Sequence, residues 1–240
     1  MKKVSVSFLS SKHEAKDILK IENTSADYLH VDVMDGKFVK KKHKPYKMIY
    51  KMNSSINKRL DVHLMEKKPL KHINYFAALN TEYITIHVEI DKIDKYLDLI
   101  NRYGIKAGLA INPDTDESML LPYLNKINLI IIMGVQPGLG GQTFIEDTIK
   151  KILRIKKIIL KRKVKVKISV DGGVNAEVAK RLDFADIIVA GNYVTSSDDF
   201  ETAIEEIRNN ASINENKGKE KSKKRSKKED LDDFDEEPSE

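Results

Sequence analysis

Eight short runs of β-branched and aliphatic residues recur between Val4 and Ala190. Each is followed by a stretch with helical periodicity, and this alternation limits the possible folds more than any other feature of the chain. The candidate strands are Val4–Phe8, Tyr28–Val33, Arg59–Leu64, Tyr83–His87, Lys106–Ala110, Leu129–Met133, Val164–Val170 and Ile187–Ala190. The candidate helices are Lys12–Ile21, Lys47–Asn53, Leu70–Ala78, Lys92–Asn101, Glu117–Leu121, Asp147–Leu160, Ala176–Leu182 and Phe200–Arg208. A run such as Leu129-Ile130-Ile131-Ile132-Met133 is apolar at every position, as a parallel strand covered by helices requires. Asn175 and Asp199 stand where helix N-caps belong. Eight βα units within one domain's length predict an α/β fold, a closed (β/α)8 TIM barrel rather than an open doubly wound sheet.

The periodic pattern ends near Asn209, so residues 1–210 are expected to form the barrel and 211–240 a charged, disordered tail. Lys217–Lys228 is mostly Lys, Ser and Gly, and Glu229–Glu240 is mostly acidic. With only Leu231 and Phe234 as large apolar groups there, burial cannot offset the entropy of ordering. The whole chain holds 43 Lys+Arg and 37 Asp+Glu; 8 and 10 of these follow residue 212, leaving 35 and 27, a net +8, before it. Such a surface attracts anions at a distance, whether sugar phosphates or nucleic acid. No cysteine is present, which removes disulfides and thiolate chemistry and restricts metal ligands to His and carboxylates. No apolar run reaches the ~20 residues needed to span a bilayer, so a cytoplasmic enzyme without membrane contact is expected.

The chemistry is concentrated at predicted strand ends. In Leu29-His30-Val31-Asp32-Val33-Met34-Asp35-Gly36, His30 and Asp32 lie two residues apart and face the same side of a strand. Leu60-Asp61-Val62-His63-Leu64-Met65 carries His63 similarly, and Ser169-Val170-Asp171-Gly172-Gly173 ends the seventh candidate strand with Asp171. At the C-terminal mouth of a barrel, two imidazoles and two carboxylates form a divalent-metal set, suited to Zn²⁺, Fe²⁺, Mn²⁺ or Co²⁺. Individually each has a plainer reading: a lone strand histidine is usually a satisfied core residue, His63 could bond Asp61, and Asp171 could simply open a turn. The combination is specific where its members are not. Glycines after three consecutive strands, in Gly138-Leu139-Gly140-Gly141, Gly172-Gly173 and Gly191-Asn192, would let backbone N–H groups approach a phosphate.

Taken with Val6-Ser7-Phe8-Leu9-Ser10 and Pro137-Gly138-Leu139-Gly140-Gly141-Gln142, these segments resemble the ribulose-phosphate 3-epimerase family in order and approximate spacing, from residue 3 to about 208. The resemblance implies a metal-dependent isomerase that interconverts D-ribulose 5-phosphate and D-xylulose 5-phosphate at C3, a reaction of the pentose phosphate pathway. It implies one divalent metal held by His30, Asp32, His63 and Asp171, with Asp32 and Asp171 also forming the acid/base pair. Ser7 and His63 would contact substrate, Met34, Met65 and Met133 would lie against the planar intermediate, and the three glycine segments would hold the phosphate. Relatives commonly assemble as dimers or hexamers, so a homo-oligomer is expected.

The sequence departs from the family pattern at several places. After Gly36 the family usually continues with a His-Phe-Val-Pro-Asn-like loop. Here the run is Lys37-Phe38-Val39-Lys40-Lys41-Lys42-His43-Lys44-Pro45, either a solvated basic face or a device for steering sugar phosphates. Gly191-Asn192 replaces the usual Gly-Ser, and Gln136 stands where Asn or Glu is common. His87 matches a family position near the mouth and is open to a supporting role or a core hydrogen bond; His13, His43 and His72 receive none. The rival within the same chemistry is a 3-epimerase for a ketohexose 6-phosphate such as allulose 6-phosphate. A rival of another class, an inactive barrel binding nucleic acid through its lysines, lacks any groove-reading element or aromatic-interleaved motif.

Overall fold

Successive side chains on a strand point to opposite faces, so a strand closed into a barrel needs two different residue sets. In Tyr28–Asp35, Leu29, Val31 and Val33 belong to the large apolar cluster beneath the helices, which sends Tyr28, His30, Asp32 and Met34 inward. The same rule sends Ser5 and Ser7, Asp61 and His63, Thr85 and His87, and Ser169 and Asp171 into the lumen.

The computed structural model describes residues 2–212. Strands β1 (Lys3–Ser7), β2 (Tyr28–Asp35), β3 (Lys42–His43), β4 (Arg59–Met65), β5 (Thr81–His87), β6 (Lys106–Ile111), β7 (Leu129–Met133), β8 (Lys167–Asp171) and β9 (Ile187–Ala190) form one sheet. Eight are parallel in the order β1-β9-β8-β7-β6-β5-β4-β2, and the β1–β2 pairing closes the ring. β3 is an antiparallel addition on the end of β2, pairing Met34 with His43 and Asp35 with Lys42. The helices are α1 (Glu14–Glu22), α2 (Tyr46–Lys51), α3 (Leu70–Phe76), α4 (Ile93–Arg102), α5 (Asp147–Arg162), α6 (Ala176–Ala179), α7 (Asn192–Thr195) and α8 (Phe200–Ala211). The architecture is the expected (β/α)8 barrel. Among the described residues no helix is long and apolar enough to cross a membrane. Apart from Ala211 and Ser212, the tail expected from residue 211 onward lies outside the described residues.

The helices dock by the periodicity that foretold them. Phe200, Ala203, Ile204, Ile207 and Ala211 make one buried stripe on α8, and the Asp199 side chain caps the N–H groups of Glu201 and Thr202. Asn175 caps α6 through the N–H of Val178, again as expected. Beyond β3 and α7, which the sequence did not announce, three expected elements differ from the sequence expectation. Glu117–Tyr123 is a 3-10 helix rather than an α-helix, a short run in which Pro122 cannot donate a main-chain hydrogen bond. α6 stops at Ala179 instead of Leu182, because Arg181 and Leu182 donate to Val178 and Ala179 three residues back, tightening the last turn. Val164–Val166 is not strand. Lys163 ends α5 in the left-handed conformation (φ 54°), and the Val164 N–H returns to the Ile159 carbonyl, which delays β8 to Lys167.

Candidate active site

Strand register decides which inward side chains meet. Parallel pairing sets His30 beside Asp61, Asp32 beside His63 and Met34 beside Met65, while β7 and β8 set Met133 beside Asp171. At the C-terminal mouth, His30, Asp32, His63 and Asp171 offer ligand atoms that all lie within 4.8 Å of one another. His30 Nε2 is 3.4 Å from Asp32 Oδ1 and 3.7 Å from Asp171 Oδ2; His63 Nδ1 is 3.4 Å and 3.3 Å from the same two oxygens.

Three of these side chains, His30, Asp32 and His63, are anchored from behind. Asp61 Oδ2 accepts from Ser5 Oγ (2.8 Å) and from His30 Nδ1 (2.9 Å), so Asp61 serves His30 rather than His63. Ser7 Oγ donates to Asp32 Oδ2 at 2.7 Å. His63 Nε2 lies 2.9 Å from His87 Nε2, and His87 Nδ1 lies 3.0 Å from Glu89 Oε2. The two remaining imidazole nitrogens, His30 Nε2 and His63 Nδ1, are buried with no hydrogen-bond partner and face the gap between the carboxylates. Two orphaned nitrogens and two carboxylate oxygens converging on one point are a donor set that fits a divalent cation.

The electrostatics agree with that fit. Burial would raise the Asp32 carboxyl, but the imidazoles of His30 and His63 outweigh it and hold the group well below the usual carboxylate range. Burial opposes charge on His30 and His63 as well, yet their carboxylate neighbours draw both above the ordinary histidine value. Cation binding at these nitrogens therefore competes with protonation of the two imidazoles. His87 is the exception: burial lowers it to about 4, with Glu89 only partly opposing.

Above the cluster opens a cavity of about 260 Å3. Asp32 and Asp171 reach its wall, joined by Ser7, Met34, Met65 and Met133. The segments Gly138-Leu139-Gly140-Gly141, Gly172-Gly173 and Gly191-Asn192 also line it, as do Ser10, Val135, Tyr193 and Ser196, to which the sequence assigned no role. His30 and His63 are fully buried beneath the wall, so His63, expected also as a substrate contact, does not line the cavity. Glycine is required at 173: φ is +69°, and a Cβ would stand 2.6 Å from the backbone nitrogen of Phe144. The loops pack on one another over the mouth, since a Cβ at Gly138 would meet Val39 and one at Gly140 would meet Ser10.

Two further histidines have partners the sequence did not announce. His43 bridges the Asp32 carbonyl (2.7 Å) and the Glu14 carboxylate (3.0 Å), tying β3 to the strand that carries Asp32. His72 pairs with the buried Glu66 at 2.7 Å beneath the Tyr46 ring, away from the cavity.

Residues 3–195 match the Ribulose-phosphate 3 epimerase family. The ribulose-phosphate 3-epimerase of Helicobacter pylori strain J99 is 37% identical over 212 residues, covering 86% of this chain and 97% of that protein. That of Bacillus subtilis strain 168 is 35% identical over 214 residues, covering 87% and 99%. Among solved structures, KGPDC from Streptococcus mutans superposes with a TM-score of 0.65 at 11% identity, covering 88% of this chain and 98% of that one, a likeness of fold alone.

Proposed function

The chain belongs to the ribulose-phosphate 3-epimerase family and is an epimerase, and from that premise we propose that it interconverts D-ribulose 5-phosphate and D-xylulose 5-phosphate at C3 by two-base proton transfer. The observation that carries this reading is the meeting of Asp32 and Asp171, across two orphaned imidazole nitrogens, in the wall of a cavity with three glycine-rich loops.

Inverting C3 requires that a proton leave one face of the carbon and another arrive on the opposite face. Two carboxyl groups suffice, one ionised and one protonated in each direction. Asp32, held ionised by its imidazole neighbours and oriented by Ser7, is suited to accept a proton; Asp171, its counterpart from the other side of the mouth, would deliver one. In the reverse reaction the roles exchange, and the two titrations are coupled. His30, Asp32, His63 and Asp171 would hold one divalent ion, whose positive charge would stabilise the ene-diolate left by proton removal. Met34, Met65 and Met133 would offer polarisable, weakly hydrated surface to that planar species and keep water from it. Backbone N–H groups of Gly172, Gly173, Gly191 and Asn192 are the candidates for the phosphate.

The test is an assay on purified protein of measured metal content, run in D2O with D-ribulose 5-phosphate and, in parallel, with a ketohexose 6-phosphate. The expected outcome is xylulose 5-phosphate carrying one deuterium at C3, slower turnover of the hexose, loss of activity on thorough chelation and recovery with a divalent cation. Full activity in stringently metal-free protein removes the metal from the reading, and preferred turnover of the hexose replaces the substrate.

A further inference from the structure

Resting on the metal-centre reading above, we propose that Glu89 and His87 fix the polarity of a hydrogen-bond chain that turns the lone pair of His63 Nδ1 toward the cation. They act as positioning residues, without touching metal or substrate.

The chain has a sense because its far end cannot donate. An ionised carboxylate only accepts, so Glu89 Oε2, 3.0 Å from His87 Nδ1, places the hydrogen on that nitrogen. A neutral His87 then has a bare Nε2, which at 2.9 Å must accept from His63 Nε2–H. His63 is left with its lone pair on Nδ1, the buried nitrogen that has no hydrogen-bond partner and faces Asp32 and Asp171. The two imidazole centroids lie 5.0 Å apart, the spacing of two rings joined end to end by an N–H···N bond. The Phe38 ring packs on His87 with ring centroids 4.4 Å apart. His30 needs no such relay, since Asp61 contacts its Nδ1 directly.

Glu89 is itself locked, and that makes the idea testable. Its Oε1 accepts from the Asn112 N–H at 2.8 Å. In Glu89→Gln the amide oxygen must stay on that N–H, which turns the NH2 group toward His87 Nδ1. Every link then reverses: His87 Nε2 becomes the donor, His63 Nε2 the acceptor, and His63 Nδ1–H points at the metal position. The variant is isosteric, so a purely structural role for residue 89 leaves binding almost unchanged.

The probe is Zn²⁺, titrated against a chromophoric chelator on the full chain. Glu89→Gln should bind about 10–100-fold more weakly than the unaltered protein, the usual effect of losing an outer partner of a metal-bound histidine. Thermal unfolding of the metal-free forms should coincide. Glu89→Asp, which keeps an acceptor-only group, should lose less than Glu89→Gln; a steric role reverses that order. Unchanged Zn²⁺ affinity in Glu89→Gln overturns the relay while leaving the metal centre intact, whereas an unaltered protein that binds no Zn²⁺ sinks the metal reading itself. Should Glu89→Gln not fold, the Zn²⁺-loaded unaltered protein still decides by long-range ¹H–¹⁵N spectra. A protonated Nδ1 and bare Nε2 on His87 uphold the proposal, and the opposite tautomer ends it.

Discussion

Asp32 and Asp171 do not share one environment. Asp32 is 4% exposed, bonded to Ser7 and flanked by both imidazoles, while the Asp171 side chain, 14% exposed, ends β8 and reaches further toward solvent. If each serves one face of C3, a variant lacking either should lose conversion without losing every proton-transfer step. Asp32→Asn and Asp171→Asn should each fold, as circular dichroism would establish, and epimerise about 10²–10⁴-fold more slowly. Each should still exchange the C3 proton of one epimer with D2O, a different epimer in each case. Near-normal conversion by either variant, or loss of exchange from both epimers in both variants, removes the two-base assignment. These residues were legible in the sequence because the period of two puts His30 with Asp32 and Asp61 with His63 on shared faces. Their partners were not. Whether Asp61 serves His63 or His30 is settled by strand register, and Glu89 lies beyond its strand, two residues past a histidine that looked equally suited to the core.

At the scale of elements, the barrel has a working end and a holding end. Opposite the mouth, Glu82 on β5 is buried between Arg59 on β4 and Lys106 on β6, which clamps three neighbouring strands at their N-terminal ends. Burial alone would raise the Glu82 carboxyl, but hydrogen bonds from Lys106 and Arg59 outweigh it and lower the group below its ordinary 4.5. A carboxyl lowered on folding adds stability above its unfolded value and loses it as pH falls through the folded one. Glu82→Gln should therefore cost about 1 kcal/mol at neutral pH, since both cations are half exposed and screened. The cost should fade as pH falls below ~4, where Glu82 takes up a proton and loses the charge that glutamine lacks at every pH. Urea unfolding at pH 7 and pH 3 checks this, and an equal deficit at both refutes the charge argument. The strands and most helices could be read from the chain because continuous apolar runs and amphipathic stripes record what each element packs against. β3 left no such record: two residues in a lysine-rich run have no period, and their pairing depends on where His43 can reach the Asp32 carbonyl.

For the whole molecule, the basic excess acquires meaning from its location. Residues 36–45 leave β2 at the end that carries Asp32, and Val39 packs against Gly138 in the loop across the mouth, so the lysine run borders the cavity entrance. Lys37, Lys40 and Lys44 are exposed, and none takes part in an ion pair with a carboxylate among the described residues. Unpaired cations at an entrance focus the field of a molecule whose first 212 residues carry +8, which raises the encounter rate with a dianionic phosphate ester. A solvated face would have no such effect. Replacing Lys37, Lys40 and Lys44 with Ser should lower kcat/KM about 3–10-fold at 10 mM salt, leave kcat unchanged, and flatten the dependence of log kcat/KM on ionic strength. Above about 0.5 M salt, where the Debye length is only a few ångströms, the two proteins should converge. Equal salt slopes in the two proteins would reduce the lysine run to a solubilising surface and leave steering to the rest of the barrel.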